Sequence, residues 1–442
     1  MSSPSPTRRP TLLALASSVL AAAPGLGAAA VERISVASNG SQGNFQSRYP
    51  TISADGRYVA FESDATNLVP GDSNDATDVF VRDRLAGTTV RISVTAAGAQ
   101  VNGPSRRPAI SGNGQRVVFD SFGALIPDSG FHNCYLVDRA APAIVLLDRR
   151  SDTGAPSGQG CQSPGISVDG DRIAFASPNP FLVPGDSDNN GVLDVFVRTV
   201  STASTVRINR GPGGIEANAP AENLRISAFG SHVIYASAAS NLVPGDSNGS
   251  RDIFVSDLAG QTRRVSVGSG GTQANGVVVP EAALNADASL VAFSANASAL
   301  PGWNANVESV LYLRVPGADL TVPVSIPAAG AHEGSAEHPD FSATGRWLVF
   351  WADDQLVPGV TVAAIYVVDL LEETIALVSR QPGGQPAGAG NHFHPRISAD
   401  GRGIVWFSNS ALLVPGDTNG TWDVFHADNP LWDDTLFADG FE

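Results

Sequence analysis

Apolar and polar residues alternate along most of the chain in short runs, such as RYVAFES at 57–63 and TTVRISV at 88–94. Alternation with a period of two is typical of β-strands that bury one face. Turn residues separate the runs, among them the Asp55–Gly56 pair, which favours a tight hairpin. No helical periodicity competes after the first 30 residues, so the pattern predicts an all-β protein.

A twelve-residue unit, ISADGRYVAFES in its first copy, recurs along the chain at spacings of 56 to 60 residues. Its seven copies begin at Ile52, Ile110, Ile166, Ile226, Leu284, Phe341 and Ile397. Nine residues after each start stands an aromatic residue: Phe61, Phe119, Phe175, Tyr235, Phe293, Phe350 and Trp406. A second aromatic follows in the next predicted strand: Phe80, Tyr135, Phe196, Phe254, Tyr312, Tyr366 and Phe425. A bulky residue at the same place in every unit indicates packing between neighbouring units.

Each unit reads as four antiparallel strands, and seven such units predict a seven-bladed β-propeller over residues 31–428. The last unit has only three strands and ends at DVFHAD, residues 423–428. The segment VERISV at 31–36 has the sequence of a fourth strand but no unit before it. We therefore predict that this N-terminal strand completes the last blade and closes the ring.

The repeat P-x-I-S-x-D-G-x-x-V-A-F-x-S, seen in PTISADGRYVAFES at 50–63, resembles the TolB-type or WD40-like (PD40) propeller repeat over nearly the whole of 31–428. This resemblance implies the propeller fold. It is weak for function, because related propellers serve as protein-binding platforms, as gates attached to peptidases and as lyases. The chain has seven units where TolB has six, and no α/β-hydrolase domain follows the repeats.

The first 30 residues have the pattern of a secretory signal peptide. Arg8 and Arg9 precede an apolar run at 11–23 that is too short to span a bilayer, and small residues follow it up to Ala30. A periplasmic or secreted protein without membrane insertion is therefore expected. Residues 429–442 are interpreted as a C-terminal tail, whose LFADGFE ending resembles a short tail of secreted proteins in some proteobacteria.

The two cysteines, Cys134 and Cys161, favour a disulfide over two buried thiols, since an exported protein meets an oxidising compartment. The net charge of −16 comes from 43 acidic and 27 basic residues, and no Lys occurs. An acidic chain without basic clusters is repelled by phosphate backbones, which argues against nucleic acid as a partner. A monomer is expected, with an envelope or extracellular protein or a carbohydrate as its partner.

Acidic loops between the second and third strands are the first candidate for chemistry. Residues 186–194 match the first nine positions of an EF-hand-like loop, with Asp186, Asp188, Asn190 and Asp194 as calcium ligands. Three shorter loops carry Asp72 and Asp78, Asp246 and Asp252, and Asp417 and Asp423. The alternative is structural: the Asn–Gly pair forms a turn, and the last Asp accepts backbone N–H groups at the start of the third strand.

The rim of the central pore is the second candidate. The position three residues before each repeat start reads Tyr49, Arg107, Ser163, Asn223, Glu281, His338 and His394, and His392 lies nearby. Two imidazoles and a carboxylate suit a divalent transition metal. Glu281, His338, His392 and His394 are the predicted ligands, and Arg107 is the predicted partner of a carboxylate. The His392–His394 pair resembles the H-x-H pair of metal-dependent oligogalacturonate lyases, and the alternative is a solvated polar rim without a metal.

Two functions follow from these patterns. The first is a binding scaffold for a protein or another ligand, stabilised by calcium. The second is a metal-dependent polysaccharide lyase or hydrolase that acts at the pore. No catalytic residue is assigned, because the nucleophile elbow, the Walker loop and the H-E-x-x-H motif are all missing from the sequence.

Overall fold

Each sequence repeat forms a sheet of antiparallel strands, and the sheets follow one another around a central pore. The computed structural model describes residues 20–23, 30–141, 143–150, 153–156, 159–186, 190–303, 308–326, 334–353, 355–388 and 390–432. The predicted signal peptide lies outside these residues except for 20–23 and 30, and so does the predicted tail beyond residue 432.

The first three blades take their strands in chain order, from the pore outwards. Blade one contains β3 (Ser47–Ile52), β4 (Tyr58–Ser63), β5 (Asp78–Asp83) and β6 (Thr88–Arg91). Blade two contains β7 (Ser105–Ile110), β8 (Arg116–Ser121), β9 (Asn133–Asp138) and β10 (Ala143–Leu146). Blade three contains β11 (Gln162–Ile166), β12 (Arg172–Ser177), β13 (Asp194–Thr199) and β14 (Ser204–Arg207).

The next three blades repeat this order. Blade four contains β15 (Ala221–Ile226), β16 (His232–Ser237), β17 (Asp252–Asp257) and β18 (Thr262–Arg264). Blade five contains β19 (Val277–Leu284), β20 (Val291–Asn296), β21 (Val310–Val315) and β22 (Leu320–Pro323). Blade six contains β23 (Ala336–Phe341), β24 (Trp347–Ala352), β25 (Ala364–Asp369) and β26 (Thr374–Leu377). Among the described residues, short 3-10 turns lie at Pro212–Gly214, Ser269–Gly271 and Pro316–Ala318.

Blade seven combines the two ends of the propeller. Its inner strands are β27 (His392–Ile397), β28 (Gly403–Ser408) and β29 (Asp423–Asp428), and its outer strand is β2 (Glu32–Arg33). Glu32 pairs with His426 and Arg33 with Phe425, in antiparallel register. The predicted seven-bladed, all-β ring closed by the N-terminal strand is confirmed. A further two-residue strand, β1 (Ala21–Ala22), pairs in parallel with β26 at the outer edge of blade six.

The recurring aromatic residues form the core between blades. Phe61 and Phe80 face each other on β4 and β5 with their ring centroids 5.8 Å apart, and both are fully buried. Phe119 of blade two shares one apolar cluster with Val79 and Val81 of blade one, so the aromatic residue of each blade packs against its neighbour. Burying a side chain of this size stabilises the fold by roughly 2–3 kcal/mol.

The turn between the first two strands follows from its S-A-D-G sequence. Gly56 adopts a φ of +73°, a conformation in which Gly has no Cβ penalty. Asp55 accepts a hydrogen bond from the Arg57 backbone N–H at 3.0 Å. Neighbouring turns are joined by backbone hydrogen bonds, for example from Ala54 to Gly112 and from Gly112 to Val168, both at 2.8 Å. These turns lie at the end of the pore opposite the predicted rim.

Cys134 of β9 and Cys161, which precedes β11, form a disulfide with their Cα atoms 5.4 Å apart. The bond joins blade two to blade three. It is the alternative that the sequence favoured over two free thiols. In the described part of the chain, no helix is both long and apolar enough to cross a membrane.

Candidate functional site

A β-bulge in the inner strand of each blade turns side chains towards the pore. In β3 the register shifts between Arg48 and Thr51, and Tyr49 within the bulge has a φ of +50°. The same left-handed conformation occurs at the corresponding positions of five other blades: Arg107, Ser163, Asn223, His338 and His394. A left-handed conformation costs a residue other than Gly about 1–2 kcal/mol, so its recurrence marks a position that the fold holds in place.

Blade five departs from this pattern. Its inner strand β19 is the longest of the inner strands, and its register shifts between Val278 and Ala282. Glu281 lies within this wider bulge without a positive φ. The wider bulge therefore gives Glu281 an orientation towards blades six and seven that the repeat spacing alone does not specify.

Glu281, His338 and His394 converge at the pore from three successive blades. Oε2 of Glu281 lies 2.6 Å from Nδ1 of His338 and 3.3 Å from Nδ1 of His394. One potential ligand atom from each residue lies within 4.8 Å of the other two, and no other such group of three occurs among the described residues. Metal bonds to these atom types measure about 2.0–2.2 Å, so ligand atoms around one ion lie up to about 4 Å apart. Small side-chain rotations would bring the three atoms around one ion.

The protonation states of this group suit a metal. Burial raises the pKa of Glu281, but hydrogen bonds from His338 and His394 outweigh it and hold that pKa well below its usual range. Burial lowers the pKa of His394 to about 4, against the opposing effect of Glu281. At neutral pH the group therefore offers a carboxylate and a neutral imidazole, the forms that bind transition metals.

Glu281 and His394 line a cavity in the pore with a volume of about 290 Å³, and three arginines line it as well. Arg225 of blade four reaches past blade five, and its guanidinium lies 3.2 Å from Oδ1 of Asp340 in blade six and 3.8 Å from Oε2 of Glu281. Burial lowers the pKa of Arg396 to about 10, a value at which it remains charged at neutral pH. Arg107, the third, donates to Oγ of Ser163 at 3.2 Å. The structure places Arg107 at the pore, as predicted from the sequence.

His392 is not a member of the converging group, contrary to the sequence prediction. Its side chain is fully buried opposite Ser408 of β28, and neither ring nitrogen has a hydrogen-bond partner among the described residues. Burial lowers its pKa to about 4. The bulge between Phe393 and Arg396 separates the orientations of His392 and His394, so the H-x-H spacing does not bring both imidazoles to one point.

The acidic loops surround an arginine. Asp194 and Asp186 lie 2.9 Å and 2.8 Å from the guanidinium nitrogens of Arg207, whose side chain is 1% exposed. Asn209 donates to the second oxygen of Asp194 at 2.6 Å. Oδ1 of Asn190 accepts a hydrogen bond from the Val192 N–H at 3.0 Å and so forms an Asx turn. A turn at this asparagine is part of the structural alternative to a calcium loop. Asp188 lies outside the described residues. Calcium at this loop stays a prediction without support from the described contacts, because Arg207 supplies the positive charge.

The same arrangement, which we call the arginine clasp, occurs in three other blades. It pairs Arg91 with Asp72 and Asp78, Arg264 with Asp246 and Asp252, and Arg33 with Asp417 and Asp423. In blades two, five and six an apolar residue occupies the position of the arginine: Leu146, Pro323 and Leu377. There the position of the last Asp is taken by Asn133, Val310 and Ala364. Arginine and acids thus occur together or not at all.

Sequence reasoning missed these arginines, as well as Arg225, Arg396 and Asp340 in the pore. The arginine of the VRISV strand was a usable signal, since it occurs only in the blades whose loops carry both acids. Arg225 and Asp340 left no such signal, because two blades that are not adjacent meet across the pore only in the folded ring.

Comparisons with known proteins support the fold. No family model matches the chain, and no curated protein matches it by sequence. An oligogalacturonate lyase solved in complex with manganese aligns with a TM-score of 0.55 at 12% identity, over 95% of this chain and 96% of that one. The oligogalacturonate lyase of Vibrio parahaemolyticus aligns with a TM-score of 0.54 at 12% identity, over 91% and 98%.

The propeller domain of the Trilobed protease from Pyrococcus furiosus aligns with a TM-score of 0.52 at 9% identity, over 89% of this chain and 98% of that one. At such low identity these similarities show the fold alone. The β-propeller implied by the TolB-type repeat is confirmed at that level.

Proposed function

We propose that this propeller binds an anionic ligand in its central pore, and that a divalent transition metal held by Glu281, His338 and His394 takes part in the binding. One observation carries the proposal: Glu281 and His394 line a cavity together with Arg107, Arg225 and Arg396, and His338 lies beside it against Glu281. Repeat packing does not require this combination, because none of the other four blades contributes a histidine or an acid at the equivalent position.

The charges in the cavity favour a carboxylate ligand. Three arginines and one carboxylate, that of Glu281, line the cavity, and Asp340 pairs with Arg225 beside it. A divalent metal would add further positive charge. Arginine binds carboxylates through two parallel hydrogen bonds, and a metal accepts a carboxylate oxygen in an open coordination position. An acidic carbohydrate or an acidic peptide of an envelope or extracellular protein has this chemistry. A periplasmic or secreted location is part of the proposal.

A lyase is the second candidate. It is favoured by the metal-suited donor set together with the similarity in fold to a protein described as an oligogalacturonate lyase in complex with manganese. A bound divalent metal would polarise the carboxylate of a uronic acid and so make the neighbouring C–H more acidic. The residues of this chain would bind and orient that carboxylate, and Arg225 lies 3.8 Å from the same Oε2 of Glu281 that the histidines contact.

Calorimetric titration with Mn²⁺ tests the metal site. We expect the parent protein to bind one ion per chain, and His338→Ala and His394→Ala to weaken binding by about a hundredfold, since even outer-shell partners contribute up to that much. His232→Ala is the matched control, because His232 lies on β16 and hydrogen-bonds to Ser231. Equal affinity in all four proteins would contradict the proposal.

A second assay separates binding from catalysis. Trigalacturonate is mixed with the Mn²⁺-loaded protein, and the ultraviolet absorbance of an unsaturated product is followed. A rise that His338→Ala abolishes supports the lyase. Binding of Mn²⁺ and trigalacturonate without any rise identifies the protein as a binding module.

A further inference from the structure

Aromatic side chains extend from Tyr49 of blade one over blades seven and six. Tyr49, which lines the cavity, lies 5.5 Å from Phe407 between ring centroids. Phe407 lies 5.2 Å from Trp422, Trp422 lies 5.8 Å from Phe393, and Phe393 lies 5.6 Å from Trp351. These five residues form what we call the aromatic wall.

The wall contacts both histidines of the candidate metal site. His394 stacks on Phe407 at 5.5 Å and lies 4.9 Å from Tyr49. His338 meets the Phe393 ring edge-on at 6.0 Å. A ligand group bound between the histidines would therefore have the wall directly beside it.

The wall does not belong to the packing pattern of the repeat. The packing aromatics recur in all seven blades and are buried, whereas Phe393, Trp422 and Trp351 are half-buried and Tyr49 is 38% exposed. Phe407, which is 5% exposed, is the wall residue that lies within the core. The positions of Phe393 and Phe407 are taken in blade one by Arg48 and Glu62, 3.7 Å apart, and in blade two by Arg106 and Asp120. The position of Trp422 holds Thr77, His132, Leu193, Arg251, Ser309 and Ala363 in the other blades.

The mouth of the pore is thus apolar on one side and charged on the other. Four of the five wall residues lie on blades six and seven, which supply the histidines, and Tyr49 joins them from blade one. The charged pairs at the equivalent positions lie on blades one and two, and blade two also supplies Arg107. Binding sites combine apolar and aromatic walls with a few polar groups that fix orientation. Packing between blades does not require Tyr49, Phe393 and the two tryptophans to stay partly accessible beside the metal ligands.

We propose that the aromatic wall is a second subsite, which stacks against the sugar ring next to the carboxylated unit held in the cavity. The ligand is then an acidic oligosaccharide of at least two units rather than a single acid or an acidic peptide. A pyranose ring has an apolar face of C–H groups that packs on an aromatic ring, while its carboxylate is drawn to the arginines and the metal. This inference rests on the proposed function and narrows its ligand.

Calorimetry of the Mn²⁺-loaded protein with trigalacturonate and with monomeric galacturonate tests the wall. Trp422→Ala and Phe393→Ala should weaken trigalacturonate binding about three- to tenfold, in the range of one aromatic contact. For Trp422→Ala, binding of the monomer and of Mn²⁺ should stay within twofold of the parent, because Trp422 reaches the histidines only through Phe393 and Phe407. Trp303→Ala is the matched control, because Trp303 is 37% exposed but bonds to Asn296 of blade five, away from the wall.

Each outcome decides between the two proposals. If Mn²⁺ binds but the wall variants bind trigalacturonate as the parent does, or lose monomer and trimer equally, the wall inference is overturned and the metal site stands. If the parent binds Mn²⁺ but not trigalacturonate, the saccharide is the wrong ligand class. If the parent binds no Mn²⁺, both proposals fall. Trp422→Phe keeps an aromatic ring and should retain most of the trigalacturonate affinity. If Trp422→Phe binds as weakly as Trp422→Ala, the loss comes from misfolding and not from the missing ring.

Discussion

His338 of blade six and Glu281 of blade five lie 2.6 Å apart across a blade boundary, with the imidazole Nδ1 against the carboxylate Oε2. The two residues are 57 positions apart, about one repeat. Each stands at the same position of its unit, so the ring geometry brings equivalent positions of neighbouring blades together at the pore. A binding site can therefore arise from a few substitutions at one repeat position without a change in the fold.

The arginine clasp predicts a specific pattern of stability changes. Arg207→Leu should destabilise the protein by about 3–5 kcal/mol, because it leaves the buried carboxylate of Asp194 without its positively charged partner. Denaturant unfolding measures this change.

The double variant with Asp194→Ala is the control. It reproduces the combination of Ala364 and Leu377 that blade six already contains, and it should recover much of the lost stability. Equal stability of the parent and Arg207→Leu would contradict the clasp. Millimolar Ca²⁺ should leave the melting temperature of the parent unchanged, whereas a calcium loop at Asp186 and Asp194 predicts a rise.

Closure of the ring predicts a large effect of a short truncation. Ile34 donates its backbone N–H to Val424 at 2.7 Å, and Ser35 donates to Asp423 at 2.5 Å. A chain that starts at Ala37 should melt at least about 10 °C below one that starts at Val31, because blade seven loses its outer strand and the clasp of Arg33. Differential scanning calorimetry of the two chains decides the point, and equal melting temperatures would exclude closure by this strand.

Glu62 predicts a pH-dependent stability. The carboxyl is 2% exposed, and burial raises its pKa to about 7, although the Arg107 backbone N–H opposes the shift. A raised pKa in the folded state means that the folded protein holds a proton that the unfolded chain releases near pH 4.5. Stability from this group is complete below pH 4.5 and is lost as the pH rises through 7.

The variant Glu62→Gln keeps the hydrogen-bond acceptor and removes the charge. It should match the parent in its free energy of unfolding at pH 4.5 and exceed it at pH 8 by up to about 3 kcal/mol. Glu222→Gln is the control, because the side chain of Glu222 is 40% exposed. A difference between Glu62→Gln and the parent that does not change with pH would contradict the assignment.

The disulfide predicts a loss of stability on reduction. It closes a loop of 27 residues, for which the chain-entropy model gives about 3 kcal/mol. The double variant Cys134→Ala and Cys161→Ala should unfold at lower denaturant concentration than the oxidised parent, and the parent treated with reductant should behave in the same way. If oxidised and reduced parent unfold together, the bond does not contribute to stability.

The fold was predictable because it repeats. A twelve-residue pattern present seven times specifies the strands, the turns at Asp55–Gly56 and its equivalents, and the aromatic packing. A copy that departs from the pattern can therefore be assigned by alignment with the others. The unpaired VERISV segment even predicts the closure. Periodicity is the property that makes local sequence informative about global structure here.

The candidate site was predictable only in part. The repeat register indicated Glu281, His338 and His394, because equivalent positions meet at the rim. It failed for His392, since a β-bulge changes the direction of side chains in a way that spacing does not reveal. It also failed for Arg207, whose role depends on acids 13 and 21 residues earlier in the chain, and for Arg225, which acts across the pore.

Anomalous diffraction from crystals soaked in Mn²⁺ tests the metal site most directly. The account predicts one anomalous peak at the pore, within about 2.0–2.5 Å of a carboxylate oxygen of Glu281 and of a ring nitrogen of both His338 and His394. The same soak of Glu281→Gln crystals should give a weaker peak or none. Manganese peaks elsewhere in the parent, with none among these three side chains, would contradict the account.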